Sequence, residues 1–192
     1  MDGLGSIVGQ GAGVLDTIYS DAILVSITKR VGGLVGNQRQ NNSVLSVNNC
    51  WFDGSVEGEQ FVGGILGYVQ GATCATNIKN CLVTADDITG TYNGNACVGG
   101  LLGSAYVGSI DSCVVKGKLT GKAAVAAFVG RSYASSEASF TIAKSYNATN
   151  KSEYYTNKTI ALTSVCALTE NQLIGVAAYH NTMLDFYVKD IN

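Results

Sequence analysis

Apolar and polar positions alternate along this chain in short bursts. Apolar segments of four to six residues are separated by Gly, Asn, Asp and Ser. That is the punctuation of strands and turns, not the 3.6-residue period of an amphipathic helix. The bursts also recur. Val31-Gly32-Gly33-Leu34-Val35-Gly36 returns as Val62-Gly63-Gly64-Ile65-Leu66-Gly67 and as Val98-Gly99-Gly100-Leu101-Leu102-Gly103. Weaker copies run from Leu4 to Gly9 and from Val125 to Gly130, so start-to-start spacings are 27, 31, 36 and 27 residues. Glycines inside a helix would weaken it by about 1 kcal/mol each, whereas a Gly pair suits a tight bend where backbones pass closely. One such unit cannot bury enough apolar surface alone, but stacked units share a core. The pattern predicts an all-β fold: a parallel β-solenoid (β-helix) of about five coils, each rising about 4.8 Å along the axis.

A second element follows each copy. Asn48-Asn49-Cys50-Trp51-Phe52-Asp53-Gly54 aligns with Asp111-Ser112-Cys113-Val114-Val115-Lys116-Gly117 and with Lys79-Asn80-Cys81-Leu82-Val83. Stacked in register, Cys50, Cys81 and Cys113 share one position and form a buried thiol ladder, with Ile18 and Tyr146 at its ends. Asn49, Asn80, Ser112 and Ser145 take the position before, where their side chains would bond to one another along the axis. The first element lies 14, 19, 19, 15 and 21 residues ahead of the Cys position. The variation therefore falls in connecting loops.

The repeats fill residues 1–150, and 151–192 read as a C-terminal capping segment. Thr169-Glu170-Asn171-Gln172 has capping-box spacing, which predicts one short helix from near Glu170. Leu184 to Val188 reads as a last extended piece. Such a segment would cover the open strand edge of the last coil. Nothing comparable precedes Leu4, so the first coil is expected to present an edge that a further domain or a partner covers.

The Val31–Gly36 motif followed by Asn48 to Gly58, with the copies at Val62–Gly67 and Val98–Gly103, resembles the GLUG repeat. The resemblance covers roughly residues 4–150. It implies a place among large secreted or surface-anchored bacterial proteins, adhesin-like proteins and the non-catalytic regions of IgA-protease-like peptidases. In that family the Cys position usually holds Ser with an aromatic beside it; here Cys stands there three times. The Thr-Glu-x-x-Leu segment with its aromatic-rich end resembles the tails that close GLUG arrays.

Composition narrows the picture. Charged residues are 14% of the 192, against about 25% on average. The net charge of −2 and pI near 5.3 provide no basic surface for nucleic acid. Proline is absent, which suits strands paired on both sides. The longest apolar run, Ala123 to Val129, is far short of the ~20 residues of a membrane span. Met1-Asp2-Gly3 lacks the basic start of a secretory signal.

Candidate chemistry is sparse. His180 is the lone histidine, so no His pair can bind zinc, and its place in the tail reads as surface. The six cysteines contain no Cys-x-x-Cys pair. Cys74 and Cys97 fall near loops, where an oxidising compartment would let them pair. Asp86-Asp87 is the one acidic doublet, a solvated insertion in coil three rather than a catalytic couple. Gly9 to Gly13 lacks the Lys-Ser/Thr of a phosphate loop. Asn41, Asn147, Asn150 and Asn157 stand in Asn-x-Ser/Thr sequons, which matter in a secreted eukaryotic chain. Trp51, Tyr68, Tyr92, Tyr106 and Tyr133 are the candidate ligand-facing residues. No catalytic residue, cofactor or metal ligand is predicted.

These readings converge on a non-catalytic structural and adhesion module, extracellular or at the cell surface, holding loops on a rigid rod. Its partner would be a protein or glycan on a surface. Two alternatives stand beside it. One is an assembly protein stacking on itself or on a partner protein through the uncapped N-terminal coil. The other is a carbohydrate-active β-helix enzyme with acids from neighbouring coils.

Overall fold

The computed structural model describes residues 3–136, 139–157 and 160–167. The expected capping box, the short helix, the Leu184–Val188 segment and His180 lie outside them. The described chain is a parallel β-solenoid of five coils and a partial sixth. Each full coil runs through five short faces, here A to E. In the third coil these are Phe61–Gly63, Leu66–Val69, Ala75–Lys79, Leu82–Val83 and Asp87–Gly90. All inter-coil ladders are parallel and join equivalent strands of successive coils.

Register places like residues above one another. Face A stacks Leu4, Val31, Val62, Val98 and Val125. Face C stacks Leu15, Val47, Ile78, Ile110 and Ile142. Face E stacks Leu24, Val56, Ile88 and Leu119. These columns fill one continuous core in which nearly every internal member is fully buried. Face E ends at Leu119, and the Asn150 side chain stands in for the missing strand. The Leu119 N–H donates to Asn150 Oδ1 (2.8 Å) and Asn150 Nδ2 donates to Leu119 O (3.1 Å).

The glycines of the repeat do more than make a bend. Gly33, Gly64 and Gly100 occupy the A–B turn, where a Cβ would strike a core side chain (for Gly33 that of Phe52, at 2.7 Å). The flanking glycines hold two sheets together. A Cβ on Gly32 would lie 2.5 Å from Gly67 N, one on Gly99 2.5 Å from Gly130 N, and one on Gly67 2.7 Å from Val31 N. Faces A and B therefore fold back on each other outside the core, backbone against backbone, along a seam lined by Gly32, Gly63 and Gly99 on one side and Gly36, Gly67, Gly103 and Gly130 on the other.

The C–D corner carries the second element. Thr17, Asn49, Asn80, Ser112, Lys144 and Ser164 all have φ between 47° and 55°, a left-handed conformation that Asn tolerates best among non-glycine residues. Asn49 Nδ2 donates to Asp16 Oδ1 (2.9 Å) and Asn80 Nδ2 to Asn49 Oδ1 (3.3 Å), a ladder along the axis.

The fifth copy corrects the sequence alignment by one residue. Val114 pairs with Tyr146, so Ser145, not Tyr146, stands level with Cys113, and Lys144, not Ser145, takes the left-handed corner. The domain boundary also moves. Tyr155–Asn157, Ala161–Thr163 and Cys166–Ala167 continue ladders B, C and D, so the solenoid runs past residue 150 into the segment expected to be only a cap.

Candidate functional site

The predicted thiol positions form one buried column: Cys50, Cys81 and Cys113, all free thiols. Each sulfur donates to the carbonyl two residues back: Asn48 O (3.0 Å), Lys79 O (3.3 Å) and Asp111 O (3.3 Å). Ser145 Oγ makes the same bond to Ala143 O (2.7 Å) and accepts the Cys113 N–H (3.1 Å). Thiol and hydroxyl thus fill one role: a small donor that gives a second hydrogen bond to a corner carbonyl already accepting a backbone N–H of the neighbouring coil. The Cys50 thiol is pushed far up by its hydrogen bond with Cys81 and by burial. Burial first, then Cys113, raises Cys81. These are packed thiols, not nucleophiles.

Cys74 is buried in the 70–74 loop, with Sγ donating to Gln40 O (2.9 Å), and Cys97 opens a face A strand. They belong to different corners and are not joined. Asp86 and Asp87 are both exposed, and Asp87 faces Lys118 at 3.8 Å. Among the described residues no group of three or more His, Cys, Asp and Glu could hold a metal ion, and no helix is long and apolar enough to cross a membrane. Of the four sequons, Asn147 is buried on the core side of face D and Asn150 is committed to Leu119.

The aromatic candidates separate into three places. Trp51 lies on the outer side of face D, in the column Tyr19, Trp51, Leu82, Val114 and Tyr146. It covers Leu82 and Val114 in a satellite apolar cluster, and its indole N–H donates to Thr84 Oγ1 (2.7 Å). Tyr92 stands alone in the 91–96 loop, 47% exposed. Tyr68, Tyr106 and Tyr133 come together at the mouth of the A–B seam.

Three columns line that mouth. The first is Arg30, Phe61, Cys97 and Ala124, at the start of face A. The second is Asn37, Tyr68, Ser104 and Arg131, at the end of face B, and the third is formed by the residues that directly follow the face B strands, Arg39, Gln70, Tyr106 and Tyr133. The Tyr106 and Tyr133 rings stack at 4.8 Å and 15°, one coil rise apart, and Phe61 tilts on Tyr68 at 4.3 Å. Arginines sit over the rings at both ends. Arg30 is 4.7 Å from the Tyr68 ring centre and Arg131 5.0 Å from that of Tyr133. Arg30 Nη1 also donates to Gln70 Oε1 (3.2 Å), which accepts from Asn37 Nδ2 (3.4 Å) as well. Burial, with Tyr68 alongside, pushes the Tyr106 phenol up to about 12. Burial also raises Tyr133, against the pull of Arg131. The phenols stay neutral donors at physiological pH.

The variable loops border the same mouth. The B–C connections include 39–43, 70–74 and 133–136, and the E–A connections include 26–29 and 91–96, whereas the A–B, C–D and D–E corners are short. Sequence reading found the three tyrosines but not Arg30, Phe61, Gln70 or Arg131. The signal was available: these residues flank successive copies of the six-residue motif at fixed offsets, so register makes them neighbours.

The repeat unit now has a defined extent. A family model for the GLUG motif matches residues 94–120. This stretch is a GLUG motif. It covers one full turn of the solenoid, from the loop before face A through the seam and the left-handed corner to the end of face E. Its Gly99, Gly103, Ser112 and Cys113 hold seam and corner together, and glycines and a cysteine stand at the equivalent positions of the coils at Val31 and Val62, with Asn in place of Ser112. No curated protein and no solved structure matches the chain.

Proposed function

We propose that this chain is a non-catalytic structural and adhesion module of the cell surface or extracellular space, a rigid GLUG rod that holds a surface partner along one flank. One observation carries this reading. The variable loops and the half-buried arginine–tyrosine columns border the same A–B mouth, while the remaining corners are short and uniform. Loops on a rigid scaffold are where recognition residues concentrate. The test is binding of the fluorescently labelled chain to intact cells by flow cytometry. Replacing the exposed residues 40–42 and 135–136 with Gly-Ser linkers should abolish binding while leaving the melting temperature unchanged. Undiminished binding by that variant would sink the proposal.

A second reading, assembly through the first coil, has its own support. Ile7, Val14, Ile23, Val25 and Ile27 are exposed, up to 90% at Ile27. At the same outward positions Val14 is followed by Ser46 and Asn77, and Val25 by Glu57 and Thr89. The first coil is therefore apolar where internal coils are polar. Light scattering across a concentration series tests it: association that Ile23→Lys with Val25→Lys removes supports it, and a monomer throughout refutes it.

A further inference from the structure

The chain has three arginines, Arg30, Arg39 and Arg131; Arg30 and Arg131 stand in the ladder columns at the A–B mouth, and Arg39 is the exposed residue that directly follows the second coil's face B strand. The described lysines are spread more widely: Lys79, Lys116 and Lys118 lie on faces C to E and Lys144 at the C–D corner, while Lys29, Lys122 and Lys151 lie in the E–A connections. No described Asp or Glu occupies any of the three columns; Glu59 and Glu153 belong to the E–A connections. Between the arginines stand neutral donors and acceptors, the Tyr68, Tyr106 and Tyr133 hydroxyls and the Gln70 amide. We infer that this flank binds an acidic polysaccharide, laid along the rod axis across coils two to five with its carboxylates on the arginines. This rests on the adhesion reading and specifies its ligand class.

Guanidinium groups match carboxylates with two parallel hydrogen bonds, which lysine cannot do. Arg30 and Arg131 are already held in place, each with a face against a tyrosine ring and Arg30 also on Gln70. Little side-chain freedom remains to be lost on binding. The columns repeat at the coil rise of about 4.8 Å, close to the length of one sugar residue in an extended chain, so successive coils meet successive sugars. The ring faces are occupied by one another and by the arginines, so recognition runs through hydroxyl edges and charge rather than through sugars stacked on aromatic faces. That favours an anionic polymer over a neutral one. It also favours a hydroxyl-rich polymer over an acidic peptide, whose side chains would need apolar pockets that these polar columns do not make.

The experiment is calorimetric titration of the full chain with oligomers of galacturonate, hyaluronan and polysialic acid. A methyl-esterified galacturonate oligomer and a polyglutamate peptide serve as controls. Binding to at least one acidic glycan is expected, weakening as salt rises. Arg30→Gln and Arg131→Gln should each weaken it by about tenfold or more, Arg30→Lys by less, and Tyr106→Phe by a few-fold. Arg39→Gln, at an exposed site, keeps the test valid if Arg131→Gln lowers stability. Failure of every acidic glycan to bind, equal binding of the methyl ester, equal binding of polyglutamate, or full affinity in the arginine variants each overturns the inference. Cell binding that survives the arginine substitutions but is lost on loop replacement overturns it while leaving the adhesion reading in place.

Discussion

The solenoid is held by two contacts built on opposite principles. Inside the coils, Val, Leu, Ile, Phe and Cys columns interdigitate, and stability comes from apolar area and close packing. At the A–B seam there are almost no side chains, and two backbones meet because glycine leaves them room. The core can absorb a lost methylene as a cavity. The seam cannot absorb a gained one, because the obstacle is backbone of a neighbouring coil. Gly99→Val should accordingly have the largest effect of any single change: its side chain would be driven against Leu102 O and Gly130 N. The expected outcome is loss of the cooperative fold, read as collapse of the far-UV strand signal. Leu101→Ala, in the core, should leave a folded chain with a lower urea midpoint, destabilised by about 2–5 kcal/mol.

The fifth coil sharpens this contrast. Ala126 stands level with Gly99 in the seam column and Ala127 level with Gly100 at the bend. Just beyond, the ladder on face B loses its regular register between Val129 and Ser132. A methyl group enters the glycine column where the next strand no longer follows the regular stack. The corner residues form an intermediate case. Asn80→Ala keeps φ near 51° only under strain and also loses the bond to Asn49. It should cost about 1–2 kcal/mol, whereas Asn80→Gly should be close to neutral. Paired urea titrations of the two variants separate backbone strain from the side-chain ladder. If Asn80→Ala matches wild type, the left-handed corner is not a constraint.

The smallest predicted effect is a pH dependence at the seam's mouth. The folded chain holds the Tyr106 proton up to about 12, while an unfolded tyrosine releases it near pH ~10. The stability this contributes is complete below the unfolded value and is lost as pH rises from there towards the folded one. Tyr106→Phe should flatten that alkaline decline. An unchanged slope would assign it to other groups, the raised Cys50 and Cys81 thiols among them.

Much of this was legible in the sequence, for identifiable reasons. The apolar columns and the Cys position were readable because register in a parallel stack reduces to counting residues between repeats. Serine takes the cysteine position at Ser145, where a hydroxyl makes the bond that sulfur makes elsewhere. The fifth copy slipped by one because Lys144 and Tyr146 lack the Asn-Cys signature, and only the ladder with Val114 fixes them. The role of the outer glycines was hidden for a different reason. A bend and a back-to-back seam ask for the same residue, and sequence does not say which backbone lies opposite. The site was half visible. Tyrosines attract notice by type, whereas Arg30 and Arg131 acquire meaning only once register sets them over Tyr68 and Tyr133.

The glycine seam between successive coils is the claim on which both the fold and the geometry of its flank depend, and one pair of variants tests it. In Gly63→Ala the new methyl would lie 2.7 Å from Leu101 O and 2.8 Å from Gly103 N, both backbone. In Gly71→Ala it would meet only the side-chain atoms Cys74 Sγ at 3.2 Å and Asn41 Oδ1 at 3.3 Å. Urea unfolding of the two side by side should show Gly63→Ala destabilised by about 1–3 kcal/mol or more, with Gly71→Ala within about 1 kcal/mol of wild type. Equal midpoints for Gly63→Ala and wild type would contradict the seam.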